Sequence, residues 1–254
     1  MELATAQRLA DLNRAFYVEH AENFADSRPR LAPGIQRALA HLPPQARVLE
    51  LGCGDGKVGR WLAAQASPAF YLGLDSSEAM LARARQFSEQ KAESSRQSLA
   101  FRLLPSAYRL ADFTAPNWTR VLPANSFDWI LAFALFHHLP GYEMRAGLLR
   151  TLADRLAEGG SLVMSNWQFT RSERLRQRIA PWTEIGLQVT DVEANDYLLT
   201  WERKGKRGLR YVHLLDEAEA RRMAEAAGLT VIEVFRSDGA AGDLADYALM
   251  RKSE

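Results

Sequence analysis

Short, almost uninterrupted apolar runs alternate along this chain with segments whose apolar residues recur at helical spacing. The runs "RVLELG", "FYLGLD", "AFRLLP", "FDWILAF" and "SLVMSNW" are short and β-rich, which predicts strands. Between them "KVGRWLAAQA", "SEAMLARARQFSEQ" and "GYEMRAGLLRTLADRLAEGG" predict helices. Strand, helix, strand in repetition implies parallel pairing through right-handed crossovers. Strands that are apolar on both sides imply helices on both faces of the sheet. The "AEGGS" after Leu156 fits a helix ended by glycine and followed by a strand.

The two ends read differently. Residues 1–45 predict a helical cap, with an apolar stripe in "QRLADLNRAFYVEHAENFA" and a break at "SRPRLAPG". Residues 46–254 are expected to form one α/β domain. Within it, 168–210 ("RSERLRQRIAPW", "DYLLTWERKGKRGLR") are basic, aromatic and poorly periodic, which predicts an insertion too short to bury a core. The tail predicts a helix, "DEAEARRMAEAAG", then strands "TVIEVFRS" and "DYALMRK" joined by a loop short enough for antiparallel pairing. The stretch "SEQKAESSRQS" (88–98) is expected to be a solvated loop.

Composition narrows the chemistry only a little. The 254 residues are 47% hydrophobic and 25% charged, which suits an ordinary soluble chain with one large domain. A formal charge of +1 argues against binding polyanions through a global field, though not against a local basic patch. Cys53 is the single cysteine, so no internal disulfide or cysteine-rich metal site can form. No run approaches membrane-spanning length, and "MELATAQRLADLNRAF" lacks the basic flank and apolar core of a signal peptide. A cytoplasmic protein is expected.

The glycines in "RVLELGCGDGKVGRWLA" carry the candidate chemistry. Gly54, Gly56 and Gly59 spell the dinucleotide fingerprint, with Asp75 downstream at a distance that suits a ribose hydroxyl. The strand, however, ends at Leu51, so the turn begins at Gly52. In that register the motif is Glu50-x-Gly52-x-Gly54-x-Gly56, a turn that lets backbone amides approach a ligand closely. Lys57 stands where that register of the dinucleotide pattern needs glycine, and it lacks the spacing of a phosphate-loop lysine.

"VLELGCGDGKVGRWL" resembles the first motif of class I S-adenosylmethionine-dependent methyltransferases, and the resemblance continues in order. "LGLDSSEAMLARA" resembles the second-strand motif, which implies that Asp75, with Ser76 beside it, grips the ribose hydroxyls. "LADFT" resembles the adenine segment, implying that Asp112 receives the amino group, with Phe113 alongside. "FDWILAFALFHHLP" resembles the motif lining the methyl-transfer pocket, and "LAEGGSLVMSNW" the fifth strand. The resemblance implies a Rossmann-like, mostly parallel sheet with an antiparallel C-terminal strand. It implies S-adenosylmethionine as cofactor, with Gly52, Cys53, Gly54 and Gly56 around it and Glu50 near the methionine amine.

Other residues have plain alternatives. Asp75 could cap the following helix, but Ser76 or Ser77 can do so equally well. Arg28 could reach the cofactor carboxylate or stay in solvent. Tyr17 and Phe24 either close over the cofactor or belong to the apolar stripe. His137 and His138 are weak candidates for a base, and no third ligand of metal spacing stands nearby, so no metal is expected.

The second half resembles the tRNA wobble-uridine carboxymethyl methyltransferases, on "DYLLTWERKGKRGLRYVHLLDEAEARRMAEAAGLTVIEVF" and the front segment "FYVEHAENFADSRPRLAPGIQRAL". It implies a carboxylate acceptor, with Tyr197, Trp201, Arg210, Tyr211 and His213 beside it; Tyr211 and His213 join the weak catalytic candidates. Arg171, Arg174, Arg176, Arg178, Arg203, Lys204, Lys206, Arg207 and Arg210 would then form a phosphate-facing stripe or a solvated face. Three readings stay open: a methyltransferase of tRNA or another nucleic acid, a small-molecule methyltransferase, and a non-catalytic cofactor-binding protein that activates a partner.

Overall fold

Strand β1 (Arg47–Leu51) shows how the sequence builds the core. Val48 points to one apolar cluster, while Leu49 and Leu51 point to another on the opposite face. A strand buried on both sides has no polar face to show, hence its continuous apolar run. The computed structural model describes residues 1–26, 30–65, 68–94, 107–203 and 205–252. The remaining strands are β2 (Phe70–Asp75), β3 (Tyr108–Leu110), β4 (Phe127–Phe133), β5 (Leu156–Trp167), β6 (Ile179–Ala180), β7 (Asp196–Arg203), β8 (Lys206–His213), β9 (Leu229–Ser237) and β10 (Ala245–Lys252). The helices are α1 (Leu3–Asp26), α2 (Pro33–Leu39), α3 (Lys57–Gln65), α4 (Glu78–Ser94), α5 (Tyr142–Arg155), α6 (Glu173–Arg176) and α7 (Glu217–Ala226).

Seven strands form one sheet in the order β3-β2-β1-β4-β5-β10-β9. β1 to β5 pair in parallel, and β10 runs antiparallel to both β5 and β9. Helices α2, α3 and α4 cover one face through Leu39, Leu62 and Leu81; α5 and α7 cover the other through Leu149, Leu152 and Met223. Each such buried leucine contributes about 1.5–3 kcal/mol. The expected Rossmann-like architecture, with its antiparallel last strand, is the one found.

Two local expectations change, and a third falls outside the described residues. The helix before β5 ends at Arg155, and "AEGG" lies inside β5, where the pairing shifts between Phe127 and Trp129 and Gly159 takes φ +68°. The glycines therefore serve an irregularity in the strand and not a helix cap. Helix α4 runs to Ser94, through much of the stretch expected to be a loop. The strand expected at "AFRLLP" lies outside the described residues, and β3 forms further on, at "YRL".

Residues 179–213 build a second, three-stranded antiparallel sheet, β6-β7-β8, where only an irregular insertion was expected. Its buried positions are Asp196, Leu198, Leu199 and Trp201 on β7 and the unbroken run Arg210–His213 on β8, so neither strand shows a clean alternation. The charges that hide it from a pattern search cluster at the hairpin end, around Arg203 and Lys206. Helix α1 packs across this sheet by an apolar stripe (Ala6, Leu9, Ala10, Phe16) that also contains Asn13 and His20. Gly208 permits the approach: a Cβ there would come within 2.7 Å of His20 Nε2 and 2.9 Å of the Phe16 ring. Asn13 fixes the register, accepting from the Tyr211 amide at 2.8 Å and donating to the Tyr211 and His138 carbonyls at 3.1 Å.

Candidate active site

β1 ends at Leu51, and the next turn has Gly52, Gly54 and Gly56 at φ +70°, +53° and +76°. Side chains are strained in that left-handed region, so alternate glycines are the residues this bend requires. Between them the Cys53 amide donates to the Leu74 carbonyl, and its buried side chain packs against the sheet.

Asp75 ends β2 directly beside the bend. One carboxylate oxygen accepts from the Gly54 amide and the other from the Ser77 amide, each at 2.8 Å. Ser77 Oγ accepts from the Met80 amide and so caps α4, while Ser76 is exposed next to it. Burial pushes the Asp75 carboxyl up, against the backbone donors of Ser77, Gly54 and Ser76. A carboxylate has about four acceptor sites, so Asp75 keeps capacity beyond these donors. Glu50, buried one strand over, accepts from the Tyr71 hydroxyl. Burial, opposed by that bond and reinforced by Asp75 and Asp55, raises its pKa to about 8.

Asp112 follows β3. One oxygen accepts from the Thr114 amide and hydroxyl, the other from Arg14 of α1 at 2.7 Å. Burial raises its carboxyl, but the Thr114 bonds and the Arg14 cation outweigh this and hold it below the usual range. Phe113 is buried edge-on against Trp118. Arg28 lies outside the described residues, as does the side chain of Phe24.

At the carboxyl ends of β4 and β5, six residues touch in a closed circuit of rings and one guanidinium. Phe16 meets Tyr17 (5.2 Å between centroids), Tyr17 meets His138 (5.3 Å), His138 meets His137 (4.2 Å), and His137 meets Trp167 (6.5 Å). Arg210 closes it, its guanidinium carbon 4.9 Å from the Trp167 ring and 5.6 Å from Phe16. His137 Nδ1 accepts from the Trp167 amide at 3.4 Å; His138 Nε2 and the Tyr17 hydroxyl are 2.7 Å apart.

The side-chain polar atoms of Tyr211 and His213 are bonded elsewhere, although the Tyr211 carbonyl lies 3.5 Å from His138 Nδ1. The Tyr211 hydroxyl donates to Asp196 at 2.7 Å. His213 is held at both ring nitrogens, by Asp196 and by Glu219, each at 2.7 Å. Burial lowers the His213 pKa, but these two carboxylates outweigh it and raise the pKa above its usual value. Arg145, from α5, bridges Glu219 and Glu193 at 2.8 and 2.9 Å. Glu193, Asp196 and His213 bring one ligand atom each within 4.8 Å, yet Arg145 and the imidazolium already supply the positive charge there. Tyr197 packs on Phe169, and Trp201 lies against Phe16 and His20. Four of the nine residues of the basic stripe are committed within the protein: Arg171 to Asp246, Arg176 to Glu173, Arg207 to Glu184, and Arg210 in the interior. Lys204 lies outside the described residues.

Sequence reasoning missed Asn13, Arg14 and Arg145. The signal for Asn13 was present, a polar residue inside an apolar helical stripe. Arg14 and Arg145 have partners 98 and 74 residues away, which no local pattern encodes.

Residues 21–234 match the family described as methyltransferase domain. The chain belongs to this methyltransferase family. It is 35% identical over 176 residues to a trans-aconitate 2-methyltransferase of Methylobacterium nodulans, covering 68% of this chain and 57% of that protein. A second protein of that name, from Streptomyces avermitilis, is 33% identical over 168 residues, covering 65% and 54%. The chain thus spans little more than half the length of these relatives. A SAM-dependent methyltransferase of Methanosarcina mazei has the same fold, with TM-score 0.62 at 17% identity, covering 87% of this chain and 98% of that one. The names of these relatives do not carry over the tRNA wobble-uridine resemblance. Among the described residues, no helix is long and apolar enough to cross a membrane.

Proposed function

We propose that this methyltransferase uses S-adenosylmethionine to esterify a carboxylate on a small organic acid of the trans-aconitate type. The observation that carries the cofactor reading is Asp75, fixed by the Gly54 amide at the lip of a left-handed glycine bend. That donor set suits a nucleoside with vicinal hydroxyls: a half-buried carboxylate for the sugar, and a bend with no side chains to block approach. Glu50 stands where an ammonium would be balanced, and Asp112 and Phe113 border the base side. When bound, S-adenosylmethionine supplies an electrophilic methyl group on a sulfonium.

The chain's own residues then have modest tasks. A carboxylate acceptor arrives deprotonated at neutral pH, so no side chain has to remove a proton. The protein aligns the acceptor oxygen and excludes water, which is where proximity supplies the rate. Helix α1 and the second sheet form the cover, bonded together through Asn13 and Tyr211. The small-acid reading is supported by the names of the curated relatives, and the tRNA reading is weakened by the pairing of the surface arginines within the protein.

The experiment is incubation with methyl-labelled S-adenosylmethionine and, separately, trans-aconitate, a panel of other carboxylic acids, and tRNA. A base-labile methyl ester of a small acid, identified by mass spectrometry, is the expected product. Label found only in tRNA would overturn the proposal.

A further inference from the structure

We infer that Glu50 couples cofactor binding to proton release: it is a neutral acid in the free protein and gives its proton to solvent on meeting the cofactor's ammonium. The inference rests on the proposed S-adenosylmethionine site and adds a linkage to pH. Glu50 is 3% exposed and sits inside the sheet, with Gly73 of β2 and Leu131 of β4 on its two sides. Its side chain accepts from the Tyr71 hydroxyl, a donor without charge. A carboxylate at such depth stays ionised only beside a cation and otherwise takes up a proton.

The surroundings favour the neutral acid. Asp75 at the tip of β2 and Asp55 in the bend add negative charge, and Arg60 of α3 offsets less than either. Arg60 and Lys57 both lie against Asp55, at 3.7 and 3.4 Å. Tyr71, Tyr108 and Cys53 are held neutral by burial, which raises all three. Helix α4 adds only apolar Leu81 and Ala84 to this cluster. Burial therefore brings the Glu50 carboxyl up to about 8, with the Tyr71 bond opposing and the two aspartates reinforcing it. Against a bound ammonium Glu50 gains the cation that burial demands, and its proton leaves to water while the Tyr71 hydroxyl keeps its bond. Protons then compete with the cofactor: Kd should fall about tenfold for each pH unit up to 8 and level off above it.

The test is calorimetry at pH 7, in buffers of different ionisation enthalpy, with S-adenosylhomocysteine and with methylthioadenosine. The second ligand has the same nucleoside and thioether but no ammonium. Asp75 is also raised by burial, yet it faces the sugar of both ligands, so the difference between them isolates Glu50. The wild type should release about one proton more with S-adenosylhomocysteine than with methylthioadenosine. Its Kd for S-adenosylhomocysteine should fall at least about 10-fold from pH 6 to pH 8. Glu50→Gln should erase both effects. Equal proton release with the two ligands, a Kd flat from pH 6 to pH 8, or a Glu50→Gln that keeps either effect overturns the inference and leaves the cofactor site standing. A wild type that binds neither ligand overturns the site as well. Should Glu50→Gln not fold, Tyr71→Phe keeps the acid and removes the bond that lowers its pKa. The rise in affinity should then move above pH 8, and an unmoved midpoint overturns the inference equally.

Discussion

Two regions of this molecule hold buried or half-buried carboxylates, and they treat them in opposite ways. Between α5, α7 and β8, three carboxylates (Glu193, Asp196, Glu219) meet two cations, Arg145 and His213, at 2.7–2.9 Å. At the tips of β1 and β2, Glu50 and Asp75 are held by neutral donors, a tyrosine hydroxyl and backbone amides. Burial raises Glu219, but His213 and Arg145 outweigh it and bring the pKa below the usual value; at Glu50 and Asp75 burial prevails and the pKa is raised. A network that closes on itself is architecture, whereas buried acid that the protein does not neutralise is capacity kept for something else. That contrast separates His213, an attractive residue in the sequence, from Asp75.

The largest effect should come from opening the closed network. Arg145→Ala leaves Glu193 and Glu219 without their shared cation in a buried site, which costs about 3–5 kcal/mol. Urea denaturation at pH 7 measures it. A loss below about 1 kcal/mol would show that the two clusters do not differ in kind.

Glu50→Gln should behave in the opposite sense. The folded pKa of Glu50 is about 8 against an ordinary 4.5, so its contribution to stability is fully present below pH 4.5 and is lost as pH rises through 8. Glutamine imitates the neutral acid and removes that slope. The variant should match the wild type near pH 4.5 and exceed it by a few kcal/mol at pH 8, on the order of 1.4 kcal/mol for each unit of the displacement. His213 slopes the same way above its ordinary 6.5, and Glu219 slopes the other way below 4.5, so the wild-type profile is a sum. The difference between wild type and Glu50→Gln isolates one group. A difference that stays flat from pH 4.5 to 8 would contradict the raised pKa.

What the sequence disclosed, and what it hid, follows the same division. The parallel sheet with its antiparallel last strand was legible because most strands carry their own apolar run and the crossovers their own helical period. The glycine bend was legible because φ near +60° leaves few residue choices, and that constraint is written within seven positions, Glu50 to Gly56. The closed network was illegible: Arg145, Asp196, His213 and Glu219 are ordinary surface types until folding brings them together from separate elements. The β7–β8 hairpin was missed because its buried residues, Leu198 and Leu199 on β7 and the run Arg210–His213 on β8, do not alternate with polar ones, and charges fill its turn end.

The smallest of these effects is also the most specific, because it concerns binding and not stability. Asp75→Ala removes the acceptor that the proposed ribose hydroxyls need, at roughly 1.5–3 kcal/mol for each charged hydrogen bond lost. Calorimetry with S-adenosylhomocysteine should show a Kd raised at least about 10-fold. The substitution also frees the Gly54 and Ser77 amides, so some loss of stability accompanies it. That loss does not confound the reading, since Ser77 still caps α4 through its own hydroxyl and the strand order does not depend on the carboxylate. Unchanged affinity in a folded Asp75→Ala would mean that the acid at β2 is there for the bend alone. The uncompensated carboxylates would then have no ligand to explain them, and the contrast with the closed network would lose its functional meaning.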